Sequence, residues 1–225
     1  PPQFVAKGIR GFTTGRDGVA WLREDGATIT IELQANDVSS AVSAYGVYMD
    51  PTNDPGVVDA VTFRDVSLPP GFARLDHTTQ LLPGQGPRVI GLWLKDNAGN
   101  VAGPERLEVV VDSEPPTLTG PLVALNANQQ RELDSRFAVI QVPVDPECIA
   151  SPVTAAPGTC PVEFRIGTSP LPSVGLFAPF QLGEDGTAVV AVSGGNGQSV
   201  GFAVELRDAA GNVAAFQSEL YTLKL

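Results

Sequence analysis

Apolar and polar residues alternate along much of the chain, and this alternation predicts β-strands. In the segment TITIELQAN, residues 28–36, every second residue from Ile29 to Ala35 is apolar and the residues between them are polar. Such a period of two places the apolar side chains on one face of a strand. The same pattern predicts strands in AYGVYMD (44–50), RVIGLWLKD (88–96), RLEVVVD (106–112), FAVIQVPVD (137–145), VEFRIG (162–167), GFAVELRD (201–208) and ELYTLKL (219–225).

Clusters of turn-forming residues separate these strands. They are DPTNDPG, LPPG, LPGQGP and SGGNGQ. The chain of 225 residues contains 24 Gly and 20 Pro, and no segment has a convincing helical period. Many short strands with turns between them predict an all-β fold.

One strand–turn–strand segment occurs twice. LWLKDNAGNVAG (92–103) is repeated as VELRDAAGNVAA (204–215), with Asp96 and Asp208 112 residues apart. The Pro1-Pro2 pair is matched by a second pair, 115–116, in the segment VVVDSEPPTLTG. A Pro-Pro pair stiffens a connection and cannot extend a sheet ladder. We therefore predict two similar domains, 1–114 and 115–225, each of a length typical of an antiparallel sandwich.

The segment LWLKDNAGNVAGPERLEVVVDSEPPTLT resembles the end of a bacterial immunoglobulin-like domain, as found in tandem immunoglobulin-like or fibronectin-III-like repeats of surface and secreted proteins. The last hairpin of that family has an aliphatic strand, Asp-x-Ala-Gly-Asn, and a second strand. Both halves carry this element, and the first continues into Asp112 and the second Pro-Pro pair. The resemblance implies two tandem immunoglobulin-like antiparallel β-sandwiches and a module of a larger protein.

The residues of the repeated turn have a structural interpretation. We expect Gly99 and Asn100 to accept the positive φ that tight hairpins require. Asp96 is suited to accept hydrogen bonds from turn amides. Asp208, Gly211 and Asn212 would do the same in the second domain. On this interpretation the repeat is a folding element.

The chain is acidic, with a formal net charge of −11 and a pI near 4.4. This charge argues against nucleic acid or anionic lipid as a partner. No apolar run is long enough to span a bilayer, so we expect a protein that does not cross the membrane. The chain begins at PPQF without Met, and we expect a mature form or an excised fragment.

The two cysteines, Cys148 and Cys160, flank a loop rich in Pro, Ser and Gly. We predict a disulfide between them; the alternative is two reduced thiols with one or both buried. A bridge closing such a loop would stabilise the fold by roughly 3 kcal/mol. It would also place the protein in an oxidising location: extracellular, cell surface or periplasmic.

A more specific hypothesis than the structural interpretation of the turn is a calcium ion bound at the domain junction. No other cofactor is expected. The pole of the second sandwich where the chain enters would collect oxygen ligands from three segments, and Ca²⁺ takes six to eight, roughly. The candidate ligands are Asp112, Glu114, Asp145, Glu147, Asp208 and Asn212. No Asp-x-Asp-x-Asp loop occurs, and Asp is common in turns, so the alternative is a set of purely structural residues.

Two further features are candidates for ligand binding. Trp93 is out of phase with Ile90, Leu92 and Leu94, so it would lie on the outer face of its sheet. There it would stack on a sugar or anchor a protein, unless its own domain covers it, for example with the segment around Trp21. The loop 148–160 would either bind a partner or merely be held in place by its disulfide.

Catalysis is not predicted. The single histidine, His77, lies in RLDHTTQ, a polar stretch that indicates a strand edge or loop. It has no paired nucleophile for a triad, and no Gly-x-Ser-x-Gly or phosphate-binding loop occurs. Three functions remain. The first is a non-catalytic structural or adhesion module, a spacer or stalk. The second is recognition of a surface protein or polysaccharide through the loops of the entering pole. The third is a subunit that self-associates through exposed sheet edges.

Overall fold

The chain forms two units, each with its own hydrophobic core. The computed structural model describes residues 1–10, 19–23, 26–49, 58–150, 160–171, 175–183 and 185–225. The units are Pro1–Ser113 and Glu114–Leu225. The turn cluster DPTNDPG and most of the loop 148–160 lie outside the described residues.

The described residues of unit 1 form a sandwich of two sheets with eight strands. They are β1 (Gln3–Ile9), β2 (Ala20–Leu22), β3 (Thr28–Asp37), β4 (Val42–Met49), β5 (Phe63–Asp65), β6 (Gly71–Gln80), β7 (Gly86–Asp96) and β8 (Val101–Val111), with a 3-10 turn at Val58–Ala60. One sheet has the order β1-β3-β6 and the other β2-β8-β7-β4-β5. All pairs are antiparallel except β2 with β8, which is parallel.

The alternation in the sequence explains the core of unit 1. Ile31 and Leu33 of β3 are completely buried, and they belong to one cluster with Leu92 of β7 and Val109 of β8. On β3 the residues between them are partly covered or exposed. The predicted inward faces of these strands are therefore confirmed.

Unit 2 has the same strand succession. Its elements are β9 (Val123–Ala124), β10 (Glu132–Leu133), β11 (Phe137–Gln141), α1 (Pro146–Ala150), β12 (Glu163–Thr168), β13 (Ala178–Pro179), β14 (Thr187–Ala191), β15 (Ser199–Val200), β16 (Phe202–Arg207), β17 (Val213–Gln217) and β18 (Tyr221–Leu223). The sheets have the orders β14-β11-β9, β13-β12-β16-β17 and β10-β18-β15. Here β10 runs parallel to β18, as β2 does to β8.

The two units correspond strand for strand. β1 to β6 correspond in order to β9 to β14. β7 corresponds to β15 and β16 together, and β8 corresponds to β17 and β18 together. Two packed, mainly antiparallel layers with this division of strands are typical of the immunoglobulin-like architecture. The core of unit 2 contains Ile140, Phe202, Val204 and Leu206, and the hydroxyl of Tyr221 accepts a hydrogen bond of 2.9 Å from the Ala124 amide.

Candidate functional sites

The repeated turn forms the same hydrogen bonds in both units. Asp96 Oδ1 accepts the Asn100 amide at 2.8 Å, and its Oδ2 accepts Asn100 Nδ2 at 2.7 Å. In unit 2, Asp208 accepts the same two donors of Asn212 at 2.8 and 2.9 Å. The aspartate amide donates to the asparagine carbonyl at 3.0 Å in the first turn and 3.1 Å in the second. The repeated segment therefore forms the same turn in the β7–β8 hairpin and in the β16–β17 hairpin.

Only the glycine of each turn uses a positive φ. Gly99 has φ 88° and Gly211 has φ 89°. Among the described residues, the non-glycine positions with positive φ are Ala41 and Arg131, so the expectation that Asn100 takes one is wrong. Asn100 contributes its side-chain amide instead, because that amide can donate to the aspartate across the turn.

The two aspartates differ in their pKa despite these shared bonds. The side-chain hydrogen bond from Asn100 lowers the pKa of Asp96 below its usual value. Burial raises the pKa of Asp208 above its usual value, and the hydrogen bonds from Asn212 only partly oppose this. Hydrogen bonding to a carboxylate favours its charged form, whereas desolvation disfavours it. Hydrogen bonding therefore dominates the pKa of Asp96, and burial dominates the pKa of Asp208.

The proposed calcium ligands of unit 2 have structural partners of their own. Asp145 Oδ1 accepts the Glu147 amide at 2.9 Å, and the Asp145 carbonyl accepts the Cys148 amide at 2.9 Å. Asp145 is therefore the N-cap of α1, with Pro146 at the first helical position, where proline is favoured. Asn212 Nδ2 also donates to the Glu114 carbonyl at 3.4 Å.

The remaining calcium candidates are placed differently. The side chain of Asp112 is buried, and its amide donates to the Leu22 carbonyl at 2.8 Å. Glu114 and Glu147 are exposed. Across the described part of the chain, no three acidic, histidine or cysteine side chains gather as a metal-binding group. Calcium at the junction stays a prediction.

Cys148 and Cys160 form a disulfide, with their Cα atoms 5.0 Å apart. Both residues are buried in unit 2. Cys148 belongs to α1, and Cys160 lies three residues before β12. The bridge therefore attaches the short helix to the start of a core strand. The function of the loop between the two cysteines falls on residues 151–159, outside the described part.

Trp93 does not offer its ring to solvent, because only 1% of the residue is exposed. Tyr48 meets it edge to face with ring centroids 6.5 Å apart. Gly103 approaches so closely that a Cβ added there would lie 2.8 Å from Trp93 Cδ1. The exposed tryptophan expected for sugar stacking is thus corrected: the phase of β7 put Trp93 on the outer side, but its own unit covers it.

His77 lies on β6, the edge strand of the β1-β3-β6 sheet, and not in a loop, and its side chain is buried inside unit 1. It occupies the inward phase of β6 after Ala73 and Leu75, and 4% of it is exposed. Its Nδ1 is 3.1 Å from the hydroxyl of Tyr45 on β4, in the opposite sheet. Burial, and secondly the positive charge of Arg64, lowers the pKa of His77.

A cluster of charged and aromatic side chains on unit 2 was not anticipated. We call Glu163, Arg165, Phe177, Glu205 and Arg207 the Arg–Phe cluster. Arg165 Nε donates to Glu205 at 2.6 Å, and Arg207 pairs with Glu163. The guanidinium carbons of Arg207 and Arg165 lie 4.2 and 5.4 Å from the Phe177 ring centroid. Arginines stacked on an aromatic ring are attracted to its face.

The sequence did contain a signal for this cluster. Glu163 and Arg165 alternate with Phe164 and Ile166, and Glu205 and Arg207 alternate with core residues on β16. Opposite charges at these phases are consistent with cross-strand pairs. The register that sets Glu163 against Arg207 and Arg165 against Glu205 required the structure.

Asp37, at the turn between β3 and β4, also went unnoticed in the sequence. Its Oδ1 accepts the amides of Ser39 and Ser40 at 3.0 and 3.1 Å, and both serine hydroxyls donate to its carboxylate at 3.0 Å. These bonds, led by that from the Ser39 amide, lower the pKa of Asp37 to about 2. Asp37 fixes this turn by the same chemistry as Asp96 and Asp208.

Both units have the immunoglobulin-like architecture that their strand order defines. No protein-family model matches the chain, and no curated protein does. Among solved structures, the fibronectin(III)-like modules of Clostridium thermocellum CbhA share 11% identity at TM-score 0.45, covering 97% of this chain and 94% of that one. The D00-D0 domain of intimin shares 11% at TM-score 0.34, covering 97% and 98%. The sialic acid binding region of a Streptococcus sanguinis adhesin shares 11% at TM-score 0.30, covering 99% and 77%.

Helices contribute little to the described part of the chain, and none is long and apolar enough to cross a membrane.

Proposed function

We propose that the chain is a non-catalytic structural or adhesion module, a spacer or stalk of a larger bacterial surface or secreted protein. The observation that carries this proposal is the internal use of the repeated Asp–Asn pair. In both units the carboxylate and the amide bond each other across the hairpin turn. A motif that binds a ligand would direct its carboxylate and amide atoms outward. A motif that serves folding uses these atoms in hydrogen bonds within its own turn.

The other residues that could have served in catalysis or ligand binding support the same proposal. His77 is buried against Tyr45, Asp145 caps a helix and Trp93 is covered by its own unit. Each therefore contributes to the fold of its unit. The partners of such a module are the neighbouring domains of its parent protein.

The disulfide supports an extracellular, cell-surface or periplasmic location. Bridges of this kind form and persist in oxidising compartments and are rare in the cytosol. The net charge of −11 suits solubility outside the cell and disfavours nucleic acid as a partner.

A retention experiment tests the spacer role. We would immobilise the 225-residue protein and pass bacterial envelope proteins and surface polysaccharides over it, once with calcium and once with chelator. We expect no saturable retention in either buffer. Saturable retention in both would replace the spacer with a recognition module, and retention only with calcium would support the junction site. A melting temperature insensitive to chelator, with no metal bound, would remove the calcium hypothesis.

The Arg–Phe cluster favours recognition of a protein or polysaccharide as a second candidate function. Arginine and aromatic side chains are enriched among residues that dominate interfaces. Leu176, next to Phe177, is 95% exposed. The loop closed by the disulfide ends at Cys160, three residues before Glu163 at the start of β12.

If retention is observed, two variants with the same added charge locate it. Leu176→Glu changes the residue beside the cluster, which is 95% exposed, and Val38→Glu changes a residue of unit 1 that is 80% exposed. The second candidate requires that the first variant loses retention and the second keeps it. Equal retention by both would place the binding elsewhere.

A further inference from the structure

A cation lies over a phenylalanine ring next to each repeated turn. Lys95 and Arg207 directly precede the aspartates of the two turns. The Nζ of Lys95 lies 5.9 Å from the centroid of the Phe63 ring. The guanidinium carbon of Arg207 lies 4.2 Å from the centroid of the Phe177 ring. At such distances a cation is attracted to the face of the ring, so both contacts are cation–π pairs.

The register of the strands places the two cation–π pairs at equivalent positions. On β4, Ala44 is opposite the cation and Gly46 is opposite the phenylalanine. On β12, Glu163 is opposite the cation. The pairing of β13 with β12, continued by one residue, sets the phenylalanine opposite Arg165, again two positions further along. The two units therefore join the same two positions of the sheet.

The segments that carry the rings are otherwise unlike in sequence. VTFRDV (61–66) contains Phe63, and GLFAPF (175–180) contains Phe177. The cation also changes, from lysine in unit 1 to arginine in unit 2. What the units share at these positions is the chemistry of a cation and a ring, and this indicates a common role.

Each ring lies in or directly before the strand at the edge of its sheet. These edge strands are β5, with three residue pairs to β4, and β13, with two residue pairs to β12. The ladder continues with a hydrogen bond of 2.8 Å in each unit, from the Val66 amide to the Ser43 carbonyl and from the Phe180 amide to the Val162 carbonyl. Segments with so few backbone contacts open at low free energy. Side-chain contacts therefore decide how firmly these strands stay in place.

The edge segments are held on both faces of the sheet. In unit 2 the Phe180 ring meets Phe164 edge to face with centroids 5.6 Å apart, and both pack against the core. Phe177 is three residues earlier, so it lies on the opposite face, where Arg207 covers it. In unit 1, Val66 packs against the core in the same way. Apolar packing thus fixes the inner face, and the cation fixes the outer face.

We propose that the two pairs are one latch used twice, in which a cation of an inner strand holds the edge strand of its unit on the sheet. Lys95 on β7 reaches across β4 to Phe63, and Arg207 on β16 reaches across β12 to Phe177. We call each pair an edge latch. Backbone hydrogen bonds hold the edge strand within the plane of the sheet, and the edge latch adds a contact above that plane.

The closed edge latch of unit 2 keeps the edge of β12 covered. The Phe180 amide donates to Val162, so the preceding residue, Pro179, lies at the alternate position of the ladder, where its nitrogen points away from β12. Proline carries no N–H at that nitrogen. β13 therefore pairs with the edge of β12 and offers no donor at this position to a further strand.

Native-state hydrogen exchange on the intact 225-residue protein, resolved by residue, tests the proposal. The Phe180 amide reports on β13, because its hydrogen bond crosses to the residue before β12. Arg207→Gln should speed its exchange roughly fivefold, as expected for the loss of a partly exposed cation–π contact. Arg207→Lys should keep it within about twofold of the parent protein, because unit 1 uses lysine at this position. Equal acceleration by both variants would overturn the proposal.

Unit 1 provides a matched control. Lys95→Gln opens its edge latch, whereas Lys7→Gln makes the same change at a lysine that pairs with Glu105. The Val66 amide should exchange roughly threefold faster in the first variant and at the parental rate in the second. The same acceleration in both variants would trace the effect to the charge of the unit, and it would contradict the latch.

Arg207 also forms an ion pair with Glu163, and a double-mutant cycle separates that ion pair from the ring contact. Phe177→Leu keeps an apolar side chain but removes the ring. In that background Arg207→Gln should accelerate exchange of the Phe180 amide less than about twofold. An undiminished effect in that background would reject the latch, since the ion pair alone would account for it. The assay contains no ligand, so its outcome decides neither the spacer role nor recognition by the Arg–Phe cluster.

Discussion

The single histidine is buried where its charged form is disfavoured. His77 packs against Tyr45 between the sheets of unit 1, and burial lowers its pKa below 6.5. Above pH 6.5 the histidine is neutral in both the folded and the unfolded chain. As pH falls below that value, the unfolded chain binds the proton first.

The free energy of unfolding should therefore decrease as pH falls from about 7.5 to about 5.5. Urea titrations at several pH values measure this. His77→Gln keeps a polar group beside Tyr45 but cannot bind the proton, so its profile should be flatter over the same range. A parental profile that is already flat would contradict the assignment.

The two turn aspartates should titrate on opposite sides of the ordinary aspartate value of 3.8. Asp96 should titrate below it, since its hydrogen bonds favour the carboxylate, and Asp208 above it, since burial favours the neutral acid. Carboxyl ¹³C shifts followed against pH measure both in one sample. The stabilisation from Asp96 is present above pH 3.8 and is lost as pH falls through its lowered pKa. That from Asp208 is present below pH 3.8 and is lost as pH rises through its raised pKa.

At the scale of elements, the β7–β8 hairpin depends on two glycines for different reasons. Both have positive φ, 88° at Gly99 and 125° at Gly103. A Cβ at Gly99 would meet no atom within 4 Å, whereas one at Gly103 would lie 2.5 Å from the Leu92 carbonyl oxygen and 2.8 Å from Trp93 Cδ1.

Gly99→Ala should cost roughly 1–2 kcal/mol from backbone strain alone. Gly103→Ala should cost more, because the same strain is joined by overlap with Trp93 and the β7 backbone. Denaturant unfolding compares the two variants, and near-UV circular dichroism reports on the tryptophan. Equal costs would mean that the hairpin can move away from Trp93 freely.

These elements also show what the sequence can predict. Alternation identified the inward residues of β3, β7 and β16, because one face of each strand carries the apolar residues that are buried in the core. The same rule could not predict the cover over Trp93, since strand phase assigns a side of the sheet but not what packs there. His77 was missed because its neighbours on β6 are polar, although Leu75 and His77 share the inward phase. In FAVIQ (β11) the residues of both phases are mostly apolar, and the sequence pattern indicated only the inward residues, Ala138 and Ile140.

At the scale of the whole molecule, each unit has a separate core. No residue of the unit 1 cluster belongs to the unit 2 cluster, and the disulfide lies entirely in unit 2. The loss of that bridge should therefore act on one unit only.

The double variant Cys148→Ser, Cys160→Ser should lose roughly 3 kcal/mol of stability in unit 2, as expected for a loop of about this length. Hydrogen exchange resolved by residue should show faster exchange for β11, β12 and β16, with β3 and β7 unchanged. Faster exchange in both units would show that they unfold together. The parent protein under reducing conditions should behave like the double variant.

The parallel ladders β2–β8 and β10–β18 have a mechanical consequence. Each joins a strand near the start of its unit to the last strand of the same unit. When the two ends of a unit are pulled apart, such a ladder is loaded in shear, so its hydrogen bonds must break together and not one after another. Three residue pairs join β2 to β8, and two join β10 to β18. Unit 1 should therefore resist tension to a higher force than unit 2.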